Sequence, residues 1–507
     1  MRVGAFELDR KIGAGGMGEI WMARHLEQGV PAAVKFDLHP PDDTWREAFL
    51  AEVRRIAELD HPNVVHLFDT GLVTAGEARA AGGFIAEGMP WLAMELARGG
   101  SVADAGNTPT DWTGLLHLAT GLLRALSHAH ARGIVHRDLK PANLLICSSH
   151  DLRPGLKIAD FGLAWATDRD RRGIKRAGTP DTISPEQVRG DPTAFGPWTD
   201  LYALGAMVWQ WVTGRPPFVG PDLESQLQAH LTADLPPLAP RFPVPDGLED
   251  VLAWLLERET VDRPRSAAAV TRALLGLEKG LGLPAQPLPL PTDWRDREPA
   301  PVAQLTNAGM GLLGRREHRV VGRGPEQQAV WAALREVAAS RSMRVVALVG
   351  EPGIGCSHIA RWLERRVVEV GAGEGHRIDV ETGLAGFAER ALGVVVSGVA
   401  SLGPHATELD QALFARRANP PSLLVLRWLA ERASRGPVVV RVDDAHRAPG
   451  ATLLADALFE RLEGPVLFVA TGPLESPVWD DLALHAAFSR IPLGGVPDRA
   501  MEELALH

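Results

Sequence analysis

Cysteine is almost missing from this chain: Cys147 and Cys356 are the only two in 507 residues, far apart and without metal-ligand spacing. That removes a disulfide framework and a zinc site as organising elements. The N-terminus lacks the apolar run of a signal peptide, and no stretch of about 18 apolar residues follows anywhere, so no membrane span is expected and a soluble, cytoplasmic protein is. Surplus positive charge is missing too. A net charge of -10 gives no overall cationic field, which argues against nucleic acid or anionic lipid as the main partner. Lysine is scarce, occurring at 11, 35, 140, 157, 175 and 279 while arginine is abundant, so a lysine at a motif position is hard to attribute to chance.

What is present reads as globular. The 45% hydrophobic and 23% charged fractions support substantial cores, and 507 residues exceed one ordinary core, giving two domains as the starting count. Residues 6–40 hold turn-rich glycines between short β-like runs, and Trp45 to Leu59 shows helical apolar spacing through Phe49, Val53, Ile56 and Leu59. Residues 74–90, rich in Ala, Gly and Glu, are expected to form an extended loop before a strand at Trp91 to Leu96. Helical patterns then dominate, at Leu115 to Ala131, Leu201 to Thr213 and around Leu248 to Glu257. A Pro-rich run within 281–303 has no periodic apolar face and reads as an extended linker. Beyond it, helices alternate with the apolar strands Val345 to Val349, Val438 to Val442 and Val466 to Ala470, the pattern of a doubly wound α/β domain with a mainly parallel sheet.

Chemistry concentrates in a few segments. Gly13-Ala14-Gly15-Gly16-Met17-Gly18, followed by Glu19 and Ile20, can bring a β-turn close to phosphates and donate backbone N–H groups to them, although a glycine-rich hairpin without a ligand looks alike. Ala33-Val34-Lys35 follows at the distance of the next strands, and Lys35 can reach α- and β-phosphates. Its natural partner is Glu52, on the periodic helix. The most specific segment is His136-Arg137-Asp138-Leu139-Lys140-Pro141-Ala142-Asn143-Leu144-Leu145, with Asp160-Phe161-Gly162 seventeen residues after Asn143. Phosphoryl transfer needs a carboxylate to orient and accept the proton of an attacking hydroxyl, which suits Asp138, and oxygens to hold a divalent metal, which suits Asn143 and Asp160.

These residues make the chain resemble the eukaryotic-like (Hanks-type) protein kinase family, in its bacterial serine/threonine branch, over residues 6 to about 275. Further matches are His61-Pro62-Asn63-Val64-Val65, Met94-Glu95-Leu96, Gly178-Thr179-Pro180, Ser184-Pro185-Glu186, Asp200-Leu201-Tyr202-Ala203-Leu204-Gly205 and Asp262-Arg263-Pro264. The resemblance implies a bilobal α+β fold. It implies that Ile12, Ile20, Ala33 and Leu145 sandwich an adenine, with Met94 as gatekeeper and backbone groups of Glu95 and Ala97 as hydrogen-bonding partners. By the same resemblance Lys140 and Thr179 face the hydroxyl acceptor, Asp200 braces the catalytic loop and Glu186 pairs with Arg263. Lys140, two residues after Asp138, is the serine/threonine form of the loop. ATP with Mg2+, Mn2+ being the alternative, and protein substrates with Ser or Thr acceptors follow. One departure stands out: where bacterial relatives end the activation segment with Tyr-Met-Ala before Pro-Glu, this chain has Asp181-Thr182-Ile183-Ser184, which touches the substrate pocket just beyond the acceptor. Between Leu163 and Thr179 only Thr167 offers another hydroxyl, beside a basic run from Arg169 to Arg176, so switching is not expected to depend on clustered phosphosites.

In the second domain, Gly350-Glu351-Pro352-Gly353-Ile354-Gly355-Cys356-Ser357 follows an apolar strand and opens a helical stretch to Val370, the context of a P-loop. Cys356 stands where the motif has Lys, and no lysine follows Lys279, so a substitute is an Arg or nothing. With Val320-Val321-Gly322-Arg323 and Asp443-Asp444-Ala445-His446, the segment resembles regulatory ATPases of the AAA-like and STAND class. That resemblance implies metal-binding and water-polarising roles for Asp443 and Asp444, beside the loop residues Gly350, Gly353, Gly355 and Ser357. The missing Lys implies a degenerate nucleotide fold that acts in regulation, docking or self-association. The chain stops before the lid and helical repeats usual in this class, as a fragment or a natural truncation would. The expected layout is a kinase domain at 1–279, a Pro-rich linker at 280–309 and an α/β P-loop NTPase-like domain at 310–507. Competing readings are a non-catalytic scaffold or ligand-operated switch and, third, an ATPase, which Cys356 disfavours.

Overall fold

The structure, a computed structural model, describes residues 1–15, 18–36, 49, 53, 56–82, 85–161, 179–294, 305–312, 320–378, 421–447, 464–484 and 487–496. They form two compact units: Met1–Pro284 with the described part of Glu298–His318, and Ala285–Arg297 with the described part of Arg319–Leu506.

The first unit begins with an antiparallel sheet. Its strands are β1 (Arg2–Val3), β2 (Phe6–Gly15), β3 (Gly18–His25), β4 (Pro31–Phe36), β5 (Leu67–Leu72) and β6 (Pro90–Glu95), in the order β1-β2-β3-β4-β6-β5. Both faces are covered, and the two-residue period divides the side chains between them. Ala33, Leu67, Leu92 and Met94 join a core with Phe49, Val53, Ile56 and Leu59, whereas Phe6, Leu8, Ala32, Val34, Phe36, Phe68 and Trp91 form a second core on the other face. Lys35 therefore falls on the face of Ala33, turned toward the rest of the unit.

The remainder of the unit is helical apart from the short antiparallel pair β7 (Leu144–Cys147) and β8 (Gly155–Ile158). Helices run over Trp112–His130, Pro185–Arg189, Pro197–Thr213, Leu223–Thr232, Leu248–Leu255 and Ala267–Leu277. Side-chain caps start several of them: Asp111 accepts from the Gly114 N–H at 2.8 Å, and Asp222 from the Ser225 N–H at 2.8 Å. The Pro197–Thr213 helix is apolar around most of its circumference and buried accordingly, packed on Trp112–His130 and Leu248–Leu255.

Residues 74–90 differ from expectation. A short helix, Ala75–Ala80, stands where a loop was anticipated, because Thr74 and Glu77 form a reciprocal capping box. The Pro-rich stretch is also not bare. Leu288 N–H donates to the Gly371 carbonyl at 2.8 Å and Trp294 meets Trp362 edge-on, both inside the second unit. Residues 305–312 return to the first unit's sheet: the Thr306 carbonyl lies 2.8 Å from His25 Nε2, Asn307 donates to Glu27 at 2.6 Å, and Gly311 N–H donates to Asp69 at 3.1 Å. Leu305 and Leu312 are buried in the two sheet cores, and Gly311 passes so close that a Cβ would lie 2.1 Å from the Thr70 carbonyl oxygen.

The second unit is a parallel sheet of β9 (Arg344–Val349), β10 (Glu374–Ile378), β11 (Val438–Val442), β12 (Val466–Gly472) and β13 (Phe488–Pro492), ordered β10-β11-β12-β9-β13. Helices Gly324–Ser340 and Cys356–Glu369 cover one face, where Val346, Leu348, Val439 and Val469 are buried. Pro421–Arg435 covers the other, over Val345, Val440 and Phe468. This is the doubly wound arrangement, and its largely apolar strands β9, β11 and β12 are those of a sheet buried on both faces. No described helix is long and apolar enough to cross a membrane.

Candidate active site

The first unit's site is organised around a buried carboxylate that holds loop backbone. Asp200, in the first turn of the Pro197–Thr213 helix, is wholly buried and accepts from the His136 N–H, the Arg137 N–H and His130 Nε2, each at 2.8 Å. Burial works to raise its pKa, yet the bonds and charge from His130 and the bonded loop backbone hold it below the ordinary carboxylate range. These bonds fix the loop so firmly that Arg137 sits in the left-handed region, at φ 69°.

Asp138 is thereby aimed into the site. One of its oxygens accepts from Thr179 Oγ1 at 2.9 Å, and the other lies 2.6 Å from Lys140 Nζ. Asn143 closes the loop by donating its side-chain N–H to the Asp138 carbonyl at 2.8 Å, and its own carbonyl accepts from the Ala159 N–H at 2.9 Å. That last bond, together with His136 Nε2 at 2.9 Å from the Ala159 carbonyl, ties the next segment to the catalytic loop. Asp160 follows, also left-handed at φ 59°, with Oδ1 2.6 Å from Lys35 Nζ. Burial opposes its ionisation, but the Lys35 ammonium outweighs it and the pKa is lowered. Lys35, Asp138, Lys140, Asn143, Asp160 and Thr179 thus share one neighbourhood. Glu52, Gly16 and Met17 lie outside the described residues, as do Gly162, Thr167 and the basic run at 169–176.

Around this centre, Gly13, Ala14, Gly15 and Gly18 form the β2–β3 hairpin end, with Gly15 opposite Gly18. Glu19 is drawn sideways, its carboxylate 2.5 Å from Lys11 Nζ and bonded to Trp21 Nε1 at 3.2 Å, so it braces the hairpin. Ala33 and Met94 are buried in one cluster, with Ile20 and Leu145 packed against it; Ile12, on β2, is exposed. The Glu95 carboxylate is buried and gripped by both Arg153 Nε and NH2, at 3.0 and 2.6 Å, and accepts from the His66 N–H at 3.0 Å. Ala97, half-buried, follows it in the chain. At the far end of the activation segment, Glu186 and Arg263 form a buried two-pronged pair, both contacts at 2.9 Å.

The second unit's loop lies between β9 and the Cys356–Glu369 helix. Gly353 and Gly355 take φ of 85° and 108°, which only glycine adopts without strain, and the Gly350 N–H donates to the Gly472 carbonyl at 3.2 Å. Ser357 Oγ lies 3.1 Å from Thr471 Oγ1, to which the Asp444 N–H also donates, at 3.2 Å. Asp443 faces elsewhere. Its Oδ2 is 3.1 Å from Arg441 NH1 and 3.6 Å from Arg377 Nε, while Oδ1 is buried without a hydrogen-bond partner. Cys356 is buried, and burial pushes its thiol up to about 11 despite the nearby Arg323. Arg323 is spent on the Gly494 and Ile354 carbonyls, both at 2.8 Å, and on Glu326.

Three features escaped the sequence reading. Arg153 carries no sequence signal, being 58 positions from the Glu95 it grips. Arg441 had one: a charge inside Val-Val-Val-Arg-Val, on the face of Asp443 by the two-residue period, demands a partner. His230 is buried in the Leu223–Thr232 helix and bonded to the Pro180 carbonyl at 2.9 Å.

Comparison with known proteins agrees with this geometry. The family model of the protein kinase domain matches residues 6–274, and that of the AAA ATPase domain matches residues 319–469. The chain is similar to serine/threonine-protein kinase Pkn1 of Myxococcus xanthus, at 36% identity over 54% of this chain and 38% of that protein. It is likewise similar to the DNA damage-responsive serine/threonine-protein kinase RqkA of Deinococcus radiodurans, at 36% over 53% of this chain and 38% of that one. To serine/threonine-protein kinase PknB of Mycobacterium leprae it is 31% identical, over 54% of this chain and 43% of that one. The matches therefore span less than half the length of these relatives. Protein kinase domains use ATP and a divalent cation, and the donors here fit a hard cation. Asn143 uses its N–H on the Asp138 carbonyl and Asp160 uses one oxygen on Lys35, so an amide oxygen and a second carboxylate oxygen remain as hard donors. The chain belongs to the protein kinase family and carries an AAA ATPase domain behind its kinase domain.

Proposed function

We propose that the first unit transfers the γ-phosphoryl group of ATP to Ser or Thr hydroxyls of proteins, in bacterial signalling. The observation that carries this reading is the hydroxyl of Thr179 seated on Asp138 at 2.9 Å, with Lys140 on the other oxygen of the same carboxylate. A substrate hydroxyl in that seat gives its proton to Asp138 as its oxygen bonds to the γ-phosphorus and the bond to the β-phosphate oxygen breaks, releasing ADP. Lys140 balances charge at the acceptor. The glycines at 13–18 cradle the phosphates, with Glu19 bracing the hairpin. Lys35 moves between Asp160, Glu52 and the α- and β-phosphates, and Ile12, Ile20, Ala33, Met94 and Leu145 with the backbone of Glu95 and Ala97 hold the base. Asn143 and Asp160 would hold Mg2+, which neutralises the phosphate charge when bound. Incubation of the chain with labelled ATP and Mg2+, beside Asp138→Asn, tests this: label in wild type alone supports it, and label in neither favours a scaffold.

For the second unit the donors do not fit a hydrolytic Mg2+-nucleotide site. Cys356 supplies no cation, and Asp443 is already paired with arginines of its own unit. This supports a docking or regulatory role. ATP turnover by the Asp138→Asn chain that disappears on adding Asp443→Ala would refute it.

A further inference from the structure

The segment following Thr179 departs from what the resemblance implies, and it is held in place by a buried chain of hydrogen bonds. The Pro180 carbonyl accepts from His230 Nε2 at 2.9 Å, and the Tyr202 hydroxyl donates to His230 Nδ1 at 2.8 Å. Both side chains are fully buried. A phenol has one hydrogen to give and a neutral imidazole one, so the chain from Tyr202 to Nδ1 and from Nε2 to Pro180 uses every proton and admits a single tautomer. The surroundings keep the ring still: Phe218 packs edge-on at 5.0 Å, and the Arg263 guanidinium lies 4.8 Å from the centre of the Tyr202 ring. Burial lowers the His230 pKa to about 4, in keeping with a neutral ring.

Two further bonds act on the same loop: Gln226, one turn before His230, donates to Asp181 at 2.7 Å, and Thr182 donates to the Leu139 carbonyl at 2.9 Å. Just beyond it, in the Pro185–Arg189 helix, Gln187 donates to the Arg137 carbonyl at 2.6 Å. Tyr202 stands two residues after Asp200. One buried helix therefore sets the catalytic loop through Asp200 and the loop after Thr179 through Tyr202 and His230. Thr179 sits on Asp138, and the resemblance to protein kinases implies that residues 180–182, which follow it, line the pocket just beyond the acceptor of a bound protein. None of these bonds involves Lys35, Asp160 or the glycine hairpin.

We propose that His230 is a positioning residue for the protein substrate: with Gln226 it sets the Pro180–Thr182 loop and so governs which residue is accepted immediately after the Ser or Thr. The inference rests on the phosphoryl-transfer reading above. It is tested with steady-state kinetics on a degenerate Ser/Thr peptide library, varying peptide and ATP separately, for wild type, His230→Leu, His230→Gln and Tyr202→Phe. Losing the bond to Pro180 in His230→Leu is expected to raise the peptide KM about tenfold and to flatten preference at the position after the acceptor, with the ATP KM within about twofold. His230→Gln keeps an N–H donor and recovers part of both. Tyr202→Phe removes a single oxygen and shifts the peptide KM in the same direction by about threefold, which keeps the test sharp should His230→Leu fail to fold. Unchanged peptide KM and preference in Tyr202→Phe and in every folded His230 variant, or equal movement of ATP KM and peptide KM, overturns the inference. Label transfer by wild type but not by Asp138→Asn keeps the underlying reading intact in that event, whereas no transfer by wild type overturns both.

Discussion

The two units carry similar inventories, a glycine loop, a hydroxyl and a pair of aspartates, and use them in opposite ways. In the kinase unit the cations on the aspartates are lysines. Lys140 keeps about a quarter of its side chain exposed, at 26%, and each lysine is a single ammonium on a flexible stem that can swing to a phosphate. In the second unit the cation on Asp443 is Arg441, 4% exposed, locked beneath the Cys356–Glu369 helix and shared with Glu364 at 2.7 Å. A forked guanidinium between two carboxylates already has its charge balanced inside its own unit. The same motif letters thus describe a site poised for an incoming charge in one place and a charge already neutralised in the other.

The largest expected effect breaks or confirms that contrast directly. Asp138→Asn should lower phosphoryl transfer by about a thousandfold or more, since the amide cannot take the acceptor's proton, while Asp443→Ala should leave transfer within about twofold. Labelled-ATP assays on both variants decide it, and comparable losses would mean that the second unit's carboxylate shares in the chemistry. Next in size is Arg263→Ala. It strands the Glu186 carboxylate, which is buried and held by Arg263 and Thr199, and should cost the kinase unit about 3 to 5 kcal/mol in denaturant unfolding.

Acid should separate the units as well. His230 has its folded pKa lowered to about 4 from 6.5, so the unfolded chain binds the extra proton first. Its contribution is intact above pH 6.5 and is lost as pH falls toward 4, by roughly 3 kcal/mol in all. Asp160 and Asp200, with folded pKa values below 3.8, lose theirs lower still, and lowered Glu374 in the second unit loses its contribution only below 4.5. Stability measured between pH 6.5 and 4 should therefore slope for the kinase unit, and His230→Gln should flatten that slope.

How much of this was legible in the sequence depended on range. The catalytic loop, the Asp-Phe-Gly segment and the strand with Lys35 are contiguous motifs, and the two-residue and helical periods already assign their faces. The largely apolar strands β11 and β12 likewise announce a sheet covered on both sides. The capping box Thr74–Glu77 was readable, yet it was masked by a composition rich in Ala and Gly. What could not be read is what two distant segments decide together. The return of 305–312 to the sheet depends on Asp69, Glu27 and His25, and the grip of Arg153 on Glu95 joins residues 58 positions apart. His230 meets Pro180 only because two helices bring them there.

The smallest expected effect concerns the residue that first marked the second loop as unusual. Cys356 opens its helix where a lysine would reach over a bound phosphate, and Cys356→Lys restores that cation. The metal corner stays closed all the same, because Arg441 and Arg377 hold Asp443, and Ser357 is committed to Thr471. Nucleotide affinity can rise through charge alone, but ATP turnover in an Asp138→Asn background should change by less than about twofold, since the carboxylate that would bind metal is still neutralised. Phosphate-release measurements on Asp138→Asn, with and without Cys356→Lys, read this out. Turnover that rose severalfold would show that the arginines yield to metal once a lysine is in place, and the difference between the two units would then reduce to one side chain.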